Sequence, residues 1–139
     1  MEIQMKNKIT DSFNQQNFMK KLGARLTSVK KGEVKIECNF QDDLTQQHGY
    51  LHAGVLTSIV DSACGYAALT TMPENAEVLS VEFKINLLRP AKAKKIIATG
   101  TVFKAGRTLT ICDGIVTDEN EEKVFAKMTA TMICIKKDN

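Results

Sequence analysis

No C-x-x-C pair joins any two of the four cysteines, Cys38, Cys64, Cys112 and Cys134, which are scattered along the chain. That spacing argues against a metal site and against a disulfide framework. The first ten residues, MEIQMKNKIT, have no apolar core of the kind that directs secretion. No apolar run reaches the roughly 20 residues of a membrane span, because Asp61 interrupts the longest one. A clustered basic face is missing too: 19 Lys and Arg against 16 Asp and Glu give a formal net charge of +3, too mild for a nucleic-acid binder. The lysine groups at 30–31, 92–95 and 136–137 read as solvated turns and ends. Repeats, linkers and low-complexity segments are also absent. What is left is a globular composition in 139 residues, expected to fold as one domain (1–139) in a reduced, cytoplasmic setting.

The patterning predicts a mixed fold. Phe13, Phe18, Met19 and Leu22 are spaced for an amphipathic helix over about 11–22, with Thr10 or Asp11 as cap and Gly23 as stop. Two strand-like runs joined at Lys31-Gly32 follow, and the second alternates Val34, Ile36, Cys38 and Phe40 with polar residues. From about 53 to 71 apolar residues cover most of a helical circumference, the mark of a buried helix. Leu79, Val81, Phe83, Ile85 and Leu87 then alternate with Ser80, Glu82, Lys84 and Asn86, and three more strands complete an expected four-stranded meander. A helix apolar nearly all round needs a sheet that curls about it. The fold class is therefore α+β, an antiparallel sheet wrapped around a long central helix. Its open edges favour association with a second copy.

One stretch stands out: QQHGYLHAGVLTSIVDSACGYAAL, residues 46–69. Asp61 is the one acid in the buried helix, and burying a carboxylate is costly unless it is paired. Gln46, Gly49, His52, Ala53, Gly54, Asp61 and Gly65, followed by SVEFKINLLRPA, form an ordered set. The set resembles the hot-dog fold acyl-CoA thioesterases, in particular the PaaI-like (phenylacetate-pathway) and hydroxybenzoyl-CoA branch, over roughly residues 33–135. Ala53 stands where that family usually has Gly, and Gln46 where the pattern has Asn or Gln and many relatives have Asn.

The resemblance implies an acyl-CoA substrate, with CoA as part of the substrate and no separate cofactor or metal. It implies the Ala53 N–H as oxyanion donor at a helix N-terminus, with Gln46 helping to place the carbonyl or the water. It makes Asp61 general base or nucleophile and gives Ser80 the task of orienting the water. His52 and Gly54 would lie beside the substrate, His52 chiefly to orient the turn. Arg89, Lys92 and Arg107, at strand ends or turns, are candidates to hold the CoA phosphates. Ala53 and Asp61 are eight residues apart on one helix, about 12 Å, so both cannot touch one thioester. Two antiparallel copies of the helix would bring them together, and the family builds its sites across a dimer interface. A homo-oligomer, dimer or dimer of dimers, is expected.

Two other functions compete. A non-catalytic acyl-CoA binder would keep the fold, but gains nothing from a buried carboxylate. A hydratase or dehydratase would use Asp-x-x-x-x-His; Asp43 and His48 meet that spacing, but in a polar loop rather than on an apolar helix. Cys64, three residues after Asp61, has no histidine placed to activate it and reads as core.

Overall fold

The computed structural model describes residues 2–137. In chain order it has helices α1 (Ile3–Asn14) and α2 (Asn17–Leu22), strands β1 (Arg25–Lys30) and β2 (Glu33–Asn39), and a single 3-10 turn at Asp42–Leu44. Helix α3 (Ala53–Leu69) follows, then strands β3 (Ala76–Leu87), β4 (Lys95–Ala105), β5 (Leu109–Thr117) and β6 (Val124–Lys136). The six strands form one antiparallel sheet in the order β1-β2-β4-β5-β6-β3. In β2 the alternation holds as read: Val34, Ile36 and Cys38 are fully buried.

The sheet curls around α3, whose buried residues run from Val55 to Leu69 and form the centre of the core. This is the hot-dog arrangement. The helix can lie so close because two strands present glycine to it. A Cβ at Gly100 would fall 2.4 Å from the Ala63 carbonyl carbon, and one at Gly114 would fall 2.5 Å from Val60 Cγ2. Thr70 ends the helix, its hydroxyl donating to the Ala67 carbonyl and accepting from Gly32 N–H. Among the described residues no helix is long and apolar enough to cross a membrane.

Three expectations are corrected. The N-terminal helix does not begin near residue 11 but at Ile3, and it breaks at Gln15–Gln16. Two short helices then turn separate faces inward, Ile9 and Phe13 from α1 and Met19 and Leu22 from α2, while Phe18 stays 57% exposed. The last four strands are not a meander. Only β4, β5 and β6 are; β3 crosses to the far edge beside β6, and β2 pairs with β4 instead. Residues 88–94 carry the chain back, pinned where Leu88 N–H donates to the Phe125 carbonyl and Leu51 N–H to the Ala91 carbonyl. Alternation identifies a buried face but carries no information on which strand lies next to which.

The third correction concerns β3. Its pairing with β6 shifts between Ser80 and Glu82, so Val81 is an extra residue, a β-bulge. Before the bulge Val78 and Ser80 face the helix, opposite Cys134 and Met132; after it Phe83, Ile85 and Leu87 do, opposite Ala130, Met128 and Ala126. Leu79 is turned away and is 57% exposed. A period-two reading places Leu79 with Phe83 because it cannot see an inserted residue.

Candidate active site

The loop before α3 is held by its own polar groups. The Gln46 backbone N–H donates to the Tyr50 carbonyl and Gly49 N–H to the Gln46 carbonyl. Gly49 has φ +87°, a left-handed conformation that glycine adopts without a Cβ penalty. Gln46 Oε1 accepts from His48 N–H at 2.6 Å and Tyr50 N–H at 3.3 Å. With its carbonyl end occupied, the Gln46 side chain offers its Nε2 hydrogens, so it is a donor to whatever lies in front of it. Sequence reasoning did not reach this detail.

His52 is the N-cap of α3: its Nδ1 accepts from Gly54 N–H at 2.8 Å, and its carbonyl accepts from Val55 N–H. A histidine fixed in this way orients the turn. Among the described residues no acceptor takes the Ala53 N–H, which stands at the helix N-terminus with the partial positive charge of the dipole behind it.

Two turns further along α3, Asp61 meets Ser80 of β3. Ser80 Oγ donates to Asp61 Oδ1 at 2.7 Å. The bulge at Val81 makes this contact compatible with Phe83, Ile85 and Leu87 facing the same way. Ser80 therefore sits on the helix side of its strand, where it remains exposed. Among the described residues its bond to Asp61 reaches one carboxylate oxygen only. Cys64 is fully buried, and burial, with the neighbouring Cys112 and Asp61, pushes its thiol far above the ordinary range. A thiol that stays protonated is a core side chain, not a nucleophile.

Six of the nine candidate site residues fall into two separate hollows. One, of about 310 Å³, contains Asp61 and Ser80. The other, of about 430 Å³, contains Gln46, His52, Ala53 and Arg89, with Leu87 and Pro90 on its wall. Gly54 borders a shallower depression on the far side of His52. Lys92 and Arg107 line neither hollow; Lys92 is exposed in the 88–94 connection and Arg107 in the β4–β5 turn. The Asp61 hollow also holds residues the sequence did not flag, Ser12, Gln16 and Tyr66. The first two reach Tyr66 across 54 and 50 residues of chain. No local pattern signals such a contact, although Tyr66 lies little more than one turn beyond Asp61.

Comparison with known proteins agrees with this architecture. Residues 48–125 match the Thioesterase superfamily. Human acyl-coenzyme A thioesterase 13 is 32% identical over 113 residues, 80% of each chain. A thioesterase family protein from Silicibacter pomeroyi superposes with a TM-score of 0.91 at 42% identity, covering 96% of this chain and 99% of that one. The E. coli PaaI protein shares the fold, with a TM-score of 0.86 at 20% identity over 95% of this chain and 94% of its own. The chain belongs to the thioesterase superfamily, a family of thioester hydrolases, in its hot-dog form.

Proposed function

We propose that the chain hydrolyses an acyl-CoA thioester to free acid and CoA at a site assembled from two copies. The observation that carries this reading is the division of the machinery. The acid lies in one hollow and the donors in another, at positions of α3 about 12 Å apart. Either hollow alone lacks half of what the reaction needs. The exposed apolar residues of β3 support a second copy as the missing part: Phe83 and Leu87 remain 44% and 53% exposed on the edge strand.

In the assembled site the thioester carbonyl oxygen lies against Ala53 N–H and Gln46 Nε2 of one copy. Negative charge grows there as the carbon becomes tetrahedral, and fixed donors stabilise it without rearranging. Asp61 of the other copy, held by Ser80, takes a proton from water as the water oxygen bonds to the carbonyl carbon. The carbon–sulfur bond then breaks and the proton passes to the departing thiolate. Direct attack by Asp61, with water cleaving the resulting anhydride, gives the same products. Arg89, beside the donors, suits the phosphates of CoA. The chemistry needs no cofactor beyond the CoA of the substrate, and a cytoplasmic setting suits four unpaired cysteines.

The test is a hydrolysis screen over short, long and aromatic acyl-CoA thioesters, read as free thiol. Turnover of at least one class, abolished by Asp61→Asn, is expected. A flat result with tight acyl-CoA binding would make the protein a binder instead.

A further inference from the structure

The hollow beside Asp61 continues past the acid, and its far end is built from groups that thioester cleavage does not require. Along α3 it is lined by Asp61, Ser62, Gly65, Tyr66 and Leu69, one stripe of the helix. Glycine inside a helix weakens it relative to alanine. Packing does not demand Gly65: a Cβ there would meet no atom within 4 Å, whereas Gly100 and Gly114 back directly onto α3. The space over Gly65 is open channel, one helical turn beyond the carboxylate.

The channel ends on a polar wall. The Tyr66 hydroxyl accepts from Gln16 Nε2 at 2.7 Å and shares a hydrogen bond with Ser12 Oγ at 3.0 Å. Its ring is fixed edge-on against Phe13, with centroids 6.2 Å apart. The bond to Tyr66 uses the amino end of the Gln16 amide, so its carbonyl oxygen remains as acceptor, and the hydroxyls beside it supply donors. A channel that only enclosed an alkyl chain would end on apolar side chains, since unpaired polar groups facing hydrocarbon are costly. The charged residues lining this hollow are Asp61 and Glu77, with no cation among them, so the CoA phosphates belong at the Arg89 end and the acyl end enters here.

Resting on the thioesterase reading above, we infer that this channel is the acyl pocket and that Ser12, Gln16 and Tyr66 select a short acyl group bearing a hydroxyl at its far end. Tyr66 is five residues beyond Asp61, a backbone rise of about 7.5 Å, so the probe is a short chain, the 6-hydroxyhexanoyl group.

The experiment compares kcat/KM for 6-hydroxyhexanoyl-CoA and hexanoyl-CoA. Wild type is expected to favour the hydroxylated ester by about tenfold, the effect of one hydrogen bond. Gln16→Leu and Tyr66→Phe bring that ratio close to one. Gly65→Leu, which fills the channel, lowers the ratio of hexanoyl-CoA to acetyl-CoA turnover by at least about tenfold; its folding is checked by thermal melt. No hydroxyl preference in wild type, or ratios that the folded variants leave unchanged, overturn the inference and leave the thioesterase reading intact. If wild type releases thiol from none of these esters, the thioesterase reading itself fails. The pocket is then judged by calorimetry with the S-(6-hydroxyhexyl) and S-hexyl thioethers of CoA: tighter binding of the first, lost in Gln16→Leu, is expected, and equal binding overturns the assignment.

Discussion

Gln46 and Asp61 differ in what a conservative change would remove. Asp61→Asn keeps the shape and can still accept from Ser80 Oγ, but it cannot take a proton or attack. Turnover should fall by at least about a hundredfold, the scale of an acid–base contribution, with the melting temperature little changed. Gln46→Glu keeps the oxygen that accepts from His48 and Tyr50 N–H, so the loop survives. It replaces the Nε2 donor with an anion facing the growing oxyanion, and a loss of about a hundredfold or more in kcat is expected. Gln46→Ala should hurt less than Asp61→Asn, because the Ala53 N–H remains. Activity near wild type in folded Asp61→Asn would remove the acid from the mechanism. The buried thiols make a separate prediction. Burial pushes Cys112 up to about 12 and Cys64 in the same direction, whereas an unfolded thiol titrates near 8.5. The folded state thus holds protons that the unfolded state loses. This contribution is fully present below about pH 8.5 and is lost as pH rises toward the folded value. Urea midpoints should fall across that window, and more steeply than in a Cys64→Ala/Cys112→Ala variant; equal slopes would contradict the assignment.

At the scale of elements, β3 does most to build the Asp61 side of the proposed site. Its bulge lets one strand present Ser80 to Asp61 and three apolar residues to the same side of the sheet. Deleting Val81 should therefore be tolerated: the flanking residues already pair with β6 on the correct faces, and removal of the extra residue leaves an ordinary ladder. A cooperative melt and retained thiol release in the deletion variant are expected. If the strand were regular, the same deletion would turn every residue from 82 to 87 to the opposite face and the protein would fail to fold. The break between α1 and α2 has a comparable role. It turns Gln16 toward Tyr66 while Met19 and Leu22 enter the core.

For the whole molecule, the decisive experiment mixes two damaged chains. If Gln46 and Ala53 serve from one copy and Asp61 from the other, a mixed dimer of Gln46→Glu and Asp61→Ala chains has one site with both defects and one with neither. Random pairing makes about half the dimers mixed, so co-refolding two nearly inactive proteins should restore about a quarter of wild-type activity. Mass spectrometry establishes that mixed dimers are present. Their presence without recovered activity would place the site within a single chain.

Much of this was legible in the residues themselves. A helix apolar on nearly every face has to be surrounded, so the stretch from 53 onward already called for a sheet curled about it. Asp61 stood out as the one acid of that helix, but its expected burial is corrected: the side chain is only half-buried, beside Ser80, and the eight-residue rise sets it about 12 Å from Ala53 along the axis. These conclusions rest on helical geometry and solvation, which are local and so are carried by the sequence. The order of the strands, the bulge at Val81, the bonds that occupy Gln46 Oε1 and the wall made by Ser12, Gln16 and Tyr66 are of another kind. Each depends on which segments become neighbours across tens of residues. Alternation and helical period describe only the side of the chain that is buried, and the partners on that side are chosen when the whole sheet closes around α3.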